Sequence, residues 1–209
     1  MSSAEDRQVI LEGCSAMAVP CDVDQAERML AYLALLHHWN QRLNLTAIRN
    51  PQAMIIRHIL DSLAISRFIE GQTLLDVGSG AGLPGFPLAI AWPKKHITLL
   101  DSVGKKVSFL RHVIHTLKLS NVTALHQRLE RHANDHYDTI VARAFAPLEV
   151  FLPGIAHVCQ PGSLVIAMGG RLEPAIESKV VAPFQLLEMT QYQVPGLAEH
   201  RHVVVLQTN

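Results

Sequence analysis

The spacing of apolar residues changes character once along the chain, at Gly71. Before it the rhythm is helical. From Asp24, an N-cap candidate, apolar residues recur at Ala26, Leu30, Leu33, Leu36 and Leu43, which marks one face of a helix. "NLTAIRNP" interrupts with turn chemistry at Asn44, Thr46 and Asn50-Pro51. A second amphipathic stretch, "QAMIIRHILDSLAISRFIE", then runs to Gly71 and carries Arg57, His58 and Arg67 among its apolar positions. These cations read either as the solvated side of a core helix or as a surface for an anionic partner.

After Gly71, short apolar runs alternate with helical ones. "TLLDV", "HITLLD", "NVTAL", "DTIVAR" and "SLVIAM" read as strands, the last entered by a turn at Pro161-Gly162. "FPLAIAW", "GKKVSFLRHVIHTLKL" and "LEVFLPGIAHVC" read as helices between them. Two β-rich segments, "FQLLEMTQYQV" and "RHVVVLQT", close the chain around Pro195-Gly196. Alternation of this kind predicts an α/β fold, a mostly parallel seven-stranded sheet covered on both faces and ending in an antiparallel hairpin. Residues 1–70 are expected as a helical extension packed on a core domain of residues 71–209.

Composition narrows the class. At 209 residues with 49% apolar content, the chain is long enough for a sizeable core. Eighteen basic residues balance eighteen acidic ones, which argues against a general nucleic-acid coat protein. The start "MSSAEDRQVILEG" lacks the features of a signal peptide, and no apolar run approaches a membrane span, so a cytoplasmic protein that does not engage membranes is expected. Cys14, Cys21 and Cys159 are not spaced as a zinc site, and free thiols in a reducing compartment are expected. His37-His38 and His112-x-x-His115 lack a third ligand at metal spacing, so no metal is expected.

The glycine-rich stretch "DVGSGAGLPG" carries the candidate chemistry. Gly80 to Gly85 satisfies G-x-G-x-x-G, which would suit a nicotinamide-dependent oxidoreductase. Asp76 speaks against that reading, because a carboxylate two residues before Gly78 would repel a pyrophosphate. It suits a ligand bearing an ammonium and a sulfonium, S-adenosyl-L-methionine. Pro84 removes a donor that a phosphate cradle would need. Gly78 and Gly80 let the backbone approach the ligand, and their N–H groups could meet its carboxylate. Asp101, ending the second strand, is placed to accept ribose hydroxyls from either kind of cofactor.

The methyl acceptor is approached by exclusion. Exocyclic-amine methylation commonly uses an Asn/Asp-Pro-Pro-aromatic cluster after the fourth strand, where this chain reads "VARAFAP", offering Arg143 and Phe145. Pyrimidine C5 methylation needs a nucleophilic cysteine, and Cys159 reads as an inert thiol late in an apolar helix. Guanine N7 carries a free lone pair and needs only in-line positioning, with Arg143 a candidate to hold O6 or a phosphate as the catalytic residue; a surface ion pair is the other reading of this arginine. In A-form RNA the N7 edge is inaccessible, so such a target must lie in a loop or be unstacked.

"NLTAI", "RHILDSL", "DVGSGAGLPG", "TLLDS", "KK" with "FL", and "RAFA" occur in this order, and from about Trp39 to Ala146 the chain resembles the bacterial glucose-inhibited division protein B family of 16S rRNA guanine-N7 methyltransferases. The resemblance implies a Rossmann-like class I methyltransferase fold, S-adenosyl-L-methionine as donor, and guanine 527 in the decoding-region loop of 16S rRNA as acceptor. It places cofactor contacts on Gly78, Leu83, Leu129, Glu130 and Arg143. Its partner is 16S rRNA or the small ribosomal subunit, and a monomer is expected. Lys105, Lys106 and Arg111 are candidates for phosphate contacts, or else a solvated helix face. The family carries a lysine-glycine pair after the fifth strand, where this chain has Gly169-Gly170 and, further on, Arg171. That departure motivates a non-catalytic, cofactor-sensing RNA-binding module as an alternative to an enzyme.

If the carboxylate of Asp76 faces the ligand, Asp76→Ala weakens S-adenosylmethionine binding more than Ser79→Ala does, as calorimetric titration of both variants would read. Equal effects would place the carboxylate away from the ligand.

Overall fold

The computed structural model describes residues 4–133, 135–143, 146–169 and 176–209. Seven strands form one sheet: β1 (Thr73–Val77), β2 (His96–Asp101), β3 (Val122–His126), β4 (Tyr137–Arg143), β5 (Cys159–Gly169), β6 (Phe184–Tyr192) and β7 (Arg201–Thr208). Their order is β3-β2-β1-β4-β5-β7-β6. The first five run parallel, and β7 lies antiparallel to both β5 and β6. Chain order reverses between β1 and β4, which opens a crevice at the carboxyl ends of these strands.

Side-chain alternation divides β1 between two cores. Leu74 packs in a cluster with Leu33, Leu36 and Phe109, whereas Leu75 and Val77 pack in another with Phe151 and Leu152. Helices α1 (Ala4–Ala16), α2 (Val23–Leu43), α5 (Gly85–Ala91) and α6 (Gly104–Leu117) contribute to the first cluster, and α7 (Leu148–Ile155) to the second. The segment before Gly71 therefore shares a core with the sheet. Ala26, Leu30, Leu33 and Leu36 are buried as their spacing predicts.

Several local expectations need correction. The N-cap of α2 is Asp22 rather than Asp24. Asp22 accepts from the Gln25 N–H at 2.8 Å and its own N–H donates to the Gln25 side chain at 2.9 Å. The Gln25 amide also donates to the Ile90 and Ala91 carbonyls at the end of α5, so this cap ties two helices together. The stretch expected as one helix up to Gly71 is composite. It comprises α3 (Pro51–Met54), a π-helical turn (Ile55–Leu60), α4 (Asp61–Leu63) and a 3-10 turn (Ser66–Phe68). The backbone N–H of Asp61 reaches back five residues to Ile56, which widens the helix where Arg57, His58 and Asp61 lie. Pro161-Gly162 makes no turn between elements: β5 runs through both, with a register shift opposite Tyr137 and Thr139. Cys159 consequently opens β5 instead of ending a helix; its thiol is half-buried, donates to the Ile155 carbonyl and is pushed up to about 12 by burial.

Among the described residues no helix is long and apolar enough to cross a membrane, and no group of three His, Cys, Asp or Glu side chains could hold a metal.

Close packing explains Gly85. A Cβ there would lie 2.1 Å from Leu99 Cδ2 and 2.8 Å from Asp76 Oδ2. Gly85→Ala should accordingly lower stability by about 2 kcal/mol, read by urea denaturation. An unchanged midpoint would mean that α5 can lift off the sheet without cost.

Candidate functional site

The glycine loop leaves β1 and is held from three sides. Asp76 Oδ2 accepts from the Gly85 N–H at 3.0 Å, and Asp101 Oδ2 accepts from the Gly80 N–H at 2.9 Å. From α2, the buried Tyr32 hydroxyl donates to the Ala81 carbonyl at 2.9 Å. Within the loop, the Gly78 and Ser79 N–H groups donate to the Leu100 carbonyl, and those of Gly82 and Leu83 to the Ser79 carbonyl. Gly82 has φ +86°, and a Cβ there would overlap the Phe86 ring at 2.2 Å. These N–H groups are thus spent on the protein itself. A pyrophosphate would find them occupied, which disfavours the nicotinamide reading. The same bonds leave Gly80 and Gly78 committed, so the cofactor carboxylate does not meet them as the loop stands.

Asp76 is fully buried. Removal from water pushes its carboxyl up to about 7, against the pull of the Gly85 N–H and the Arg143 charge. Among the described residues its Oδ1 has no hydrogen-bond partner. An unpartnered acceptor beneath the loop puts negative polarity, once ionised, under the rim of the site rather than in contact with it.

A cavity of about 410 Å³ opens at the carboxyl ends of β1 and β2. Of the residues singled out from sequence, Gly78, Asp101, Leu129, Glu130 and Arg143 line it together. Asp76, Gly80 and Leu83 do not reach its wall: Asp76 is buried beneath the loop, and Gly80 and the buried Leu83 belong to the loop but face away from the cavity. Asp101 Oδ1 already accepts from the Val103 N–H at 2.8 Å, and Lys106 Nζ stands 3.6 Å from Oδ2. A carboxylate offers about four acceptor positions, so ribose hydroxyls still find room at Asp101. Lys106 belongs to this cavity, while Lys105 and Arg111 are exposed on α6.

Beyond Arg143 lies a second cavity, of about 340 Å³, lined among others by Thr46, His58, Asp61, Gly169, Tyr192 and Arg201. Arg143 lines both. Its Nη1 stands 3.6 Å from Asp61 Oδ2 and donates to the Arg57 carbonyl at 3.4 Å. Arg201, at the start of β7, donates from Nε to Asp61 Oδ1 at 3.0 Å. The ion-pair partner of Arg143 is therefore a buried carboxylate within the site and not a surface acid. Thr46 accepts from the Ile48 N–H and donates to His58 Nε2, whose Nδ1–H donates to the Arg57 carbonyl. Burial and the Arg143 charge push His58 down to about 4, so it stays neutral. Asn40 pins the Thr46 backbone at both N–H and carbonyl, which fixes the "NLTAI" wall.

Spacing does not distinguish Asp61, Tyr192 and Arg201 as site residues, since each sits in an ordinary amphipathic or β-rich run; "RHILDSL" signals Asp61 alone, and no motif marks Tyr192 or Arg201. Phe145, Gly170 and Arg171 lie outside the described residues.

A family model described as rRNA small subunit methyltransferase G matches residues 25–204. Among curated relatives, a ribosomal RNA small subunit methyltransferase G of Pseudomonas syringae pv. tomato is 41% identical over 209 residues, 99% of each chain. That of Nitrosococcus oceani is 42% identical over 200 residues, covering 95% of this chain and 94% of the relative. Among solved structures, an S-adenosylmethionine-dependent methyltransferase from Aquifex aeolicus superposes with a TM-score of 0.57 at 17% identity, covering 79% of this chain and 97% of that one. P. horikoshii TYW2 in complex with MeSAdo gives 0.56 at 14% identity, over 72% and 62%. At those identities the structural likeness speaks for the fold.

A carboxyl raised by burial stabilises the fold when protonated and loses that contribution as pH rises through about 7. Denaturation of the ligand-free protein should therefore show wild type losing ground to Asp76→Asn between pH 4 and 7, by on the order of a few kcal/mol, and no further change above. A pH-independent difference would mean that Asp76 is solvated.

Proposed function

The chain belongs to the rRNA small subunit methyltransferase G family, and from that premise we propose that it methylates guanine N7 in 16S rRNA, at guanine 527. The donor is S-adenosyl-L-methionine, which presents an electrophilic methyl group on its sulfonium when bound. One observation carries the reading: two cavities, each large enough for a nucleoside-sized ligand, meet at a single arginine.

In this reading the first cavity takes the donor. Asp101 holds ribose hydroxyls, Leu129 packs on adenine, and Glu130 accepts from its amino group. Asp76 lies beneath the loop without reaching the cavity wall, and when ionised would act on the donor's ammonium group through its charge rather than by direct contact. Gly80 and Leu83 act indirectly by giving the loop its shape. The second cavity takes one unstacked base. Arg143, anchored by Asp61 and the Arg57 carbonyl, donates to O6 and thereby turns N7 toward the donor. The lone pair on N7 needs no base, consistent with a neutral His58 whose two ring nitrogens are both engaged. The protein acts as a monomer in the cytoplasm on the small ribosomal subunit or its RNA.

The test is a map of N7-methylguanine in 16S rRNA from cells lacking this protein, after incubation of their small subunits with S-adenosylmethionine and the purified enzyme. The expected result is one new modified guanine, formed about a hundredfold more slowly or worse by Arg143→Ala. An unchanged map would favour a non-catalytic RNA-binding module, and tight NADH binding without S-adenosylmethionine binding would favour an oxidoreductase.

A further inference from the structure

We propose that Asp61 is the residue that selects guanine, by accepting hydrogen bonds from N1–H and the N2 amine while Arg143 donates to O6. This rests on the reading of the second cavity as the acceptor site.

Asp61 follows directly on the π-helical turn, and its carboxylate lines the second cavity with only 5% of the side chain exposed. A buried carboxylate needs compensation, and two arginines stand near it. Their geometry is unequal. Arg201 makes a hydrogen bond of 3.0 Å to Oδ1, but Arg143 Nη1 is 3.6 Å from Oδ2, a Coulombic contact too long for a hydrogen bond. Acceptor capacity thus remains on the carboxylate. The other polar side chains on this wall are committed elsewhere: Thr46 and His58 satisfy each other and the backbone. The exception is Tyr192, whose buried hydroxyl has no hydrogen-bond partner among the described residues and calls for a polar ligand.

Arg143 and Asp61 together present a donor beside an acceptor pair. Guanine offers the complement along one edge, an acceptor at O6 followed by donors at N1 and N2. Adenine reverses the first two positions, with an amine at C6 and a bare lone pair at N1, and would face the carboxylate with like polarity. Hypoxanthine keeps O6 and N1–H but lacks the N2 amine. The arrangement also sets direction. O6 belongs to both the Watson–Crick and the N7 edges, so a base held at O6 by Arg143 and at N1 by Asp61 carries N7 on the Arg143 side. That side faces the first cavity, which Arg143 also lines.

The experiment titrates guanosine, inosine and adenosine 5′-monophosphates into protein saturated with S-adenosylhomocysteine, which blocks the first cavity, with calorimetry as the readout. Wild type should bind the guanosine nucleotide about tenfold more tightly than the inosine one, the effect of one hydrogen bond to a charged group. In Asp61→Asn that ratio should fall to about one, with the guanosine nucleotide most affected and the adenosine one least. If wild type discriminates but the variant keeps the ratio, Asp61 merely holds the arginines and the proposal fails while the guanine reading stands. If wild type binds none of the nucleotides, or guanosine no better than adenosine monophosphate, the acceptor-site reading fails as well. The wild-type guanosine-to-inosine ratio needs no variant, so a ratio of one overturns the proposal even if Asp61→Asn does not fold.

Discussion

Two carboxylates on neighbouring strand ends hold the glycine loop by its own backbone N–H groups, and the character of the site follows from that. Asp76 takes the Gly85 N–H and Asp101 takes that of Gly80. Once these donors are consumed, the loop no longer offers the positive cradle that a pyrophosphate requires. What it offers instead are acceptors: the Asp101 carboxylate at the rim, and below the loop the Asp76 carboxyl, whose raised pKa keeps it protonated below about 7. The helices preceding the sheet belong to the same device, because the Tyr32 hydroxyl on α2 fixes the Ala81 carbonyl from the other side. Loosening α2 would loosen the loop.

Arg143 plays the corresponding part between the two cavities. It ends β4 at the point where strand order reverses, and it is steered by Asp61 and the Arg57 carbonyl from the widened helical turn. An arginine placed there by the sheet alone could adopt many rotamers. One that donates to a carbonyl and faces a buried carboxylate on a separate element is restricted in its rotamers, an arrangement that suits in-line methyl transfer.

The sequence was most informative where periodicity is strong. Alternating apolar runs located the strands and the closing hairpin, and Leu30, Leu33 and Leu36 located the buried face of α2. Asp101 and Arg143 were legible as site candidates because they end strands of an open parallel sheet. Less legible were features that depend on contacts between distant segments. Asp22 and Asp24 are both followed three residues later by a residue able to complete a capping box, and only the reach of Gln25 to α5 distinguishes them. The π turn has no periodic signature in six residues, so Asp61 looked like any polar position on an amphipathic helix. Asp76 is legible as an acidic residue before the glycines, but its burial beneath the loop depends on how closely α5 packs at Gly85.

Donor and acceptor in adjoining cavities with Arg143 between them would be seen in a structure of the protein with S-adenosylhomocysteine and guanosine 5′-monophosphate bound together. The sulfur is expected at the Arg143 end of the first cavity, with N7 of a base in the second cavity directed at it. A sulfur facing away from Arg143, or a base bound anywhere but in the cavity between Asp61, Tyr192 and Arg201, would contradict that arrangement.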